Sequence, residues 1–215
     1  MSAVAVEGVW KYYGDYPALR EIDLVAEPGS CLALIGRNGA GKTTLLRTIA
    51  GFSSAQRGKI KIWGNPPRQT ETRSLLGFLG HGISVYDELS ALENLTLFGK
   101  LYGLDDPRKT AMDWLERTGL ERVKDGLVRE FSRGMRQRLA VARAFLHSPK
   151  VLLLDEPFTA LDDRAIAVLQ RLLREALELA THVALLNRGQ VAFHGERTLE
   201  MVADPGWVYA RYGEG

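Results

Sequence analysis

Residues 31–43 constrain this chain more than any other stretch. Cys31 to Ile35 is a short apolar run, and Gly36-Arg37-Asn38-Gly39-Ala40-Gly41-Lys42-Thr43 follows it directly. Residues from Thr43 to Ala50 then have the makings of a helix, with Gly51 as its stop. Strand, glycine-rich loop and helix in that order match the full P-loop pattern. The glycines let the backbone wrap closely, so that N–H groups turn inward toward phosphate oxygens. The helix start adds its partial positive charge. Lys42 supplies a full charge to the outer phosphates, and the Thr43 hydroxyl is a hard oxygen suited to Mg2+. These residues predict a site for a nucleotide with its metal ion.

A second segment carries complementary chemistry. Val151-Leu152-Leu153-Leu154-Asp155-Glu156-Pro157 is an apolar run ending in two acids. Such a run reads as a central parallel strand, which delivers its carboxylates to the edge where open α/β sheets bind ligands. Asp155 is predicted to hold Mg2+, and Glu156 to polarise an attacking water as general base.

Around these motifs the pattern alternates between strand and helix. Val4, Val6 and Val9, then Ile22, Leu24 and Ala26, read as strands, with a turn at Pro28-Gly29. Lys59 to Trp63 is a short strand between Gly58 and Gly64. Residues 89–144 are mostly helical, with Leu92, Leu95, Phe98 and Leu101 along one face and breaks at Gly103 and Gly119. Ala165 to Leu179 is helical, and Val183 to Leu186 and Gln190 to Phe193 flank a hairpin at Asn187-Arg188-Gly189. An α/β core with a helical insert is the predicted class.

Composition excludes several alternatives. The 215 residues carry a net charge of +2 without a basic block, which gives nucleic acid nothing to bind. The one cysteine, Cys31, rules out an internal disulfide framework and reads as a small apolar strand residue. No leader peptide is expected, and no apolar run approaches the length of a membrane span. His147 and His194 read as surface positions.

The two phosphate-related motifs together resemble the nucleotide-binding subunits of ABC transporters, and the resemblance covers essentially the whole chain. Phe131-Ser132-Arg133-Gly134-Met135-Arg136-Gln137-Arg138 occupies the place of that family's signature. The resemblance implies that Ser132, Arg133, Gly134 and Met135 clamp the γ-phosphate held by a second copy, in a head-to-tail dimer with two shared ATP sites. Arg133 and Met135 depart from the family's commoner Gly and Gln. It also implies that Tyr13 stacks on adenine, with Tyr12 as backup, and that Thr44 belongs to the nucleotide site with Gly36 to Thr43. Asp162, in Ala160-Leu161-Asp162, is implied to cross the dimer interface. His81 takes the place of a glutamine that touches Mg2+ and the attacking water.

Histidine there, within Leu79-Gly80-His81, is similar to the ATP-binding subunit of the haem exporter of cytochrome c maturation, as is Asp155 to Asp162. The implied fold is a P-loop NTPase core of the ABC ATPase type with an N-terminal antiparallel β subdomain and a helical insert. Residues 1–80 and 146–215 would form the RecA-like core with its β subdomain, and about 81–145 the helical subdomain. The implied partners are transmembrane permease subunits, contacted around His81 to Leu95, and a second copy of the chain. Its implied place is cytoplasmic, on the inner face of the cell membrane. Another small exporter ATPase is an alternative. A soluble ABC-type ATPase of translation or DNA repair is less compatible with a single short cassette without heptads.

One departure stands out. The family places a buried strand ending in a switch histidine after the helix that follows the Asp162 loop. His182 lies only 20 positions past Asp162, and its flanks belong to the later hairpin. About 20 residues, the size of a strand with its connections, are therefore expected to be missing. That loss should slow hydrolysis and spare ATP binding. Intact-mass measurement of the purified polypeptide checks it: 23.9 kDa is expected for a true deletion. A mass greater by about 2 kDa would restore the segment and the switch with it.

Overall fold

The computed structural model describes residues 1–80, 85–155, 180–196 and 198. They fall into two units, one within Met1–Arg73 and Glu175–Gly215, the other within Ser74–Arg174.

In the first unit, β1 (Val4–Tyr13) and β2 (Tyr16–Ala26) form a hairpin through Gly14-Asp15, and β4 (Arg57–Ile62) pairs with the other edge of β1. The broken alternation of Val4, Val6 and Val9 has a local cause. The β1 register slips between Val6 and Val9, where Gly8 adopts φ 55°. A bulge inserts one residue and restores the inward face to Val9. All three valines are buried, with Leu19, Ile22, Leu24 and Ile62. The fourth strand starts earlier than the sequence suggests and includes Gly58, whose missing side chain lets it approach the Glu7 and Gly8 carbonyls.

The same unit contains β3 (Cys31–Ile35), parallel to β7 (Ala180–Asn187), which pairs antiparallel with β8 (Gln190–Glu196). The predicted hairpin is therefore present. Arg188 and Gly189 at its tip have φ 47° and 81°, the paired left-handed residues of a two-residue turn. His182 lies within β7, opposite Leu32 on one side and Glu196 on the other. The third strand is half-buried along Cys31–Leu34, less than its apolar run suggests, and among the described residues β7 is its one strand neighbour. Helix α1 (Lys42–Ile49) follows and buries Leu45, Thr48 and Ile49; Gly51 ends it at φ 76°.

The second unit places β5 (Leu76–Leu79) parallel to β6 (Val151–Leu154) in a two-stranded sheet. Among the described residues β6 is thus an edge strand rather than the predicted central one. Between Ser74 and β5 the chain only turns; the short helix α2 (Thr70–Arg73) belongs to the first unit.

Helices α3 (Ala91–Leu101), α4 (Pro107–Arg117) and α5 (Arg133–Phe145) surround a core that includes Leu92, Leu95, Trp114, Leu115, Leu139 and Leu146. Each buried leucine contributes roughly 1.5–3 kcal/mol. Ser90 and Glu93 form a reciprocal capping box at α3, and Asp106 caps α4 with Pro107 in its first turn. Gly103 and Gly119 follow α3 and α4 at φ 71° and 67°. Leu101 is 70% exposed, against expectation. Steps of three residues lag the helical period, so nine residues past Leu92 the face has turned to the opposite side.

His147 also departs from its predicted surface position. Its ring stacks on Tyr102 at 3.7 Å, and Nε2 lies 3.0 Å from the Leu76 carbonyl oxygen. A carbonyl only accepts, so Nε2 carries the proton, and Nδ1 is buried without a partner. Burial pushes its pKa down; the Leu76 carbonyl opposes this and Arg143 adds to it. A depressed imidazole binds fewer protons folded than unfolded, so stability is full above the ordinary histidine range of about 6.5 and falls as pH drops below it. The urea midpoint should therefore be lower at pH 5.5 than at pH 7.5, and His147→Gln should shrink that difference.

Candidate functional site

The sequence-predicted site residues that the structure describes fall partly in the first unit and partly in the second, and each unit stands by itself. The phosphate loop lies between β3 and α1. Gly36, Gly39 and Gly41 adopt φ 156°, 81° and 103°, conformations that side-chain-bearing residues rarely take. Gly36 and Gly41 have a second requirement. A Cβ on Gly41 would lie 2.7 Å from the Ala18 carbonyl oxygen, and one on Gly36 would collide with the Leu186 carbonyl. The loop is thus pressed against β2 and β7 with no room for side chains on that side. Arg37, Asn38, Gly39 and Thr43 are exposed, whereas Ala40 is buried.

Helix α1 differs from the others at its start. Helices α3, α4 and α5 each have a side chain accepting a first-turn N–H. The α1 cap is Gly41, with no capping hydrogen bond and no acidic residue in the first turn. Its N-terminal amides and dipole are left for an anion. Lys42 Nζ donates to the Gly36 and Arg37 carbonyl oxygens at 2.7 and 3.0 Å, which holds its charge over the opening of the loop. A triphosphate fits this arrangement of amides, dipole and ammonium. Thr44, half-buried in the first turn, is placed beside Thr43 by the helix.

The aromatic candidates separate clearly. Tyr12 stacks on Trp10 with ring centroids 5.9 Å apart, and its backbone bonds Gln56 in both directions. Tyr13 is 54% exposed at the strand end, with Lys11 Nζ 5.2 Å from its ring centre. Tyr16, directly opposite Tyr13, is equally exposed and was not singled out from sequence.

In the second unit, Asp155 follows β6 and is buried; its N–H donates to the Leu79 carbonyl oxygen at 2.8 Å. The parallel pairing of β5 and β6 thus fixes the backbone that carries this carboxylate. Thr43 and Asp155 offer hydroxyl and carboxylate oxygens, the hard donors that Mg2+ takes alongside phosphate. Among the described residues no group of three or more His, Cys, Asp and Glu could hold a metal ion alone. His81, Glu156 and Asp162 lie outside the described residues, as does the helix predicted for 165–179.

The signature segment forms the start of α5, whose first residue is Arg133. Ser132 caps it, its Oγ accepting from the Met135 N–H at 3.2 Å. Ser132 and Arg133 are exposed, Gly134 is buried and Met135 packs partly into the core. The other arginines of the motif have structural partners that sequence alone did not reveal. Arg136 bonds Asp87 Oδ1 at 2.9 Å and the Arg129 carbonyl at 2.8 Å. Arg138 is buried and donates to the Thr118 and Gly119 carbonyls. Asn94, fully buried on α3, accepts from the Tyr86 N–H and donates to the Tyr86, Leu89 and Ser90 carbonyls, which fixes the chain just after His81.

The family described as ABC transporter matches residues 19–159, from β2 to just past β6. The chain belongs to the ABC transporter family. This ABC protein is the ATP-binding, ATP-hydrolysing subunit of such a transporter. It is 32% identical over 212 residues to the Nod factor export ATP-binding protein I of Cupriavidus metallidurans, covering 89% of this chain and 70% of that one. It is 33% identical to the sulfate/thiosulfate import ATP-binding protein CysA of Nephroselmis olivacea, covering 96% of this chain and 64% of that one. That alignment runs over 229 residues, more than this chain of 215 contains, so the relative has residues without counterparts here. Among solved structures, a dimeric ATP-binding cassette in a post-hydrolysis state, bound to ADP and phosphate, superposes with a TM-score of 0.77 at 25% identity. The match covers 91% of this chain and all of the other.

Proposed function

We propose that this ABC subunit binds ATP with Mg2+, closes as a head-to-tail dimer and powers export through a separate transmembrane permease. The observation that carries the reading is the uncapped start of α1 behind the left-handed glycines and Lys42. Amides of Gly39 and of Gly41 to Thr44 hold the phosphates, Lys42 balances the outer charge, and Tyr13 stacks on the base. Thr43 and Asp155 would hold Mg2+, which neutralises charge on the transferred phosphoryl group. Glu156 would take the proton of the attacking water, and His81 would act as an orienting group. Positioning and charge stabilisation account for most of the acceleration.

The dimer reading is supported by the related cassette captured as a dimer with ADP and phosphate. Ser132 to Met135 would reach the nucleotide of the second copy, and Asp162 would lie at the interface. Residues 1–80 with 146–215, and about 81–145, would be its core and helical subdomains. A permease partner is supported by relatives named as export and import ATP-binding proteins. Among the described residues no helix is long and apolar enough to cross a membrane. The site of action would be the cytoplasmic face of the cell membrane.

The cargo reading is haem, supported by Leu79-Gly80-His81 and by the run from Asp155 to Asp162. The name of the Nephroselmis relative favours a second reading, import of a small oxyanion. About 20 residues are missing between β6 and β7, a strand with its connections. This inference is supported by the length of that alignment, in which the relative has residues without counterparts here. A true deletion would slow turnover and preserve nucleotide binding; a longer polypeptide carrying the segment would restore the full cycle.

Two measurements test the proposal. Glu156→Gln should accumulate as a dimer on sizing with ATP and Mg2+; a monomer under saturating ATP would rule out the sandwich. ATP hydrolysis should rise several-fold on reconstitution with a haem-exporter permease and stay flat with a sulfate permease. The reverse pattern would assign the second reading.

A further inference from the structure

The phosphate loop is supported from behind by the β7–β8 hairpin, which no motif of the sequence marks as functional. The Gly189 N–H donates to the Ala40 carbonyl oxygen at 3.0 Å, and the Gly189 carbonyl accepts from the Arg20 N–H at 2.7 Å. The turn is therefore wired on one side to the loop and on the other to β2. Space there is fully used. A Cβ on Gly189 would lie 2.7 Å from the Ala18 carbonyl oxygen, the same atom that leaves Gly41 no room for a side chain. Leu186, three residues earlier, meets Gly36 through its carbonyl and Gly41 through its side chain. Both ends of the loop thus rest on one hairpin.

The bond to Ala40 has a directional consequence. A trans peptide is planar, with its C=O and N–H pointing in opposite directions. The Ala40 carbonyl faces back toward Gly189, so the N–H of the same peptide unit, that of Gly41, faces away from the hairpin. The Ala40 N–H is committed elsewhere, to the Arg37 carbonyl oxygen at 3.1 Å. Were the Ala40–Gly41 peptide to flip, a carbonyl oxygen would replace an amide in the phosphate cradle. Gly41 stands at φ 103°, where glycine rotates with little penalty, so the loop's own covalent structure does not prevent the flip.

We infer that Gly189 is a positioning residue for nucleotide binding: its N–H locks the Ala40–Gly41 peptide in the orientation that presents an amide to the phosphates. This rests on reading Gly36 to Thr43 as the phosphate loop. The hairpin acts through the loop and does not itself touch the nucleotide.

The test uses the full chain and MgADP. Replacing Gly189 by glycolic acid changes its amide to an ester, which deletes the N–H and keeps the turn. The Kd for MgADP and the KM for ATP should rise about five- to tenfold, the effect of one lost hydrogen bond. The kcat at saturation and the melting temperature of the nucleotide-free protein should stay near wild type. Gly189→Ala should weaken binding at least as much, and Arg188→Gly, which leaves the N–H in place, should not.

An ester variant that binds MgADP within twofold of wild type overturns the proposal. So does a loss of affinity matched by Arg188→Gly or explained by a lowered melting temperature, because the hairpin would then be structural only. Lys42→Ala separates the two levels. If it weakens MgADP and the ester does not, Gly189 alone is wrong; if neither does, the phosphate-loop reading fails and the proposal with it.

Discussion

The absence of room behind the phosphate loop is the constraint on which this structure turns. A loop that binds phosphate through its own amides must point them all to one side, and something must hold the carbonyls on the other. Here that backing is made of ordinary fold elements: the Ala18 carbonyl on β2, the Leu186 carbonyl at the end of β7 and the amide of the next turn. The glycines therefore answer two demands at once, torsions that favour glycine and contact distances that exclude a Cβ. Substitution at Gly39 would meet only the first, since nothing lies within 4 Å of its missing side chain.

Two chemistry-bearing segments were legible in the sequence because each joins a periodic element to an interruption. Cys31–Ile35 ends at Gly36 and Val151–Leu154 ends at Asp155, whereas the Ser132 segment was read from its resemblance to the ABC signature, and its role as the α5 cap came from the structure. The hairpin at Asn187-Arg188-Gly189 was equally readable, since few turns other than the two-residue kind suit that sequence between apolar runs. What the sequence could not show were partners across the chain. Two arginines of the Phe131–Arg138 motif, half-buried Arg136 and buried Arg138, look the same on paper as exposed Arg133. Their difference comes from Asp87 and the Arg129 carbonyl for one, and from the Thr118 and Gly119 carbonyls for the other.

Other departures have equally local causes. Leu101 was placed on the core face by counting in threes, and the helix turns 3.6 residues per revolution. His147 reads as a polar residue in a connection, yet stacking on Tyr102 and contact with the Leu76 carbonyl draw it in. The strands β3 and β6 read as fully buried from their apolar runs. An apolar run reports what a strand prefers to have on both faces. It does not report how many strands stand beside it, and here each has one among the described residues.

The uncapped start of α1 also affects the energetics of the protein by itself. In α3, α4 and α5 the chain supplies its own partner for the first-turn amides, a contribution of about 1 kcal/mol each. At α1 the sequence forgoes that contribution, and in the proposed site a phosphate of the nucleotide would take the place of the cap. The missing stability is thus returned by mass action, in proportion to the logarithm of free nucleotide over its dissociation constant. The folded population of this unit is in that sense a function of cellular nucleotide concentration, written into the chain by the absence of a single side-chain oxygen.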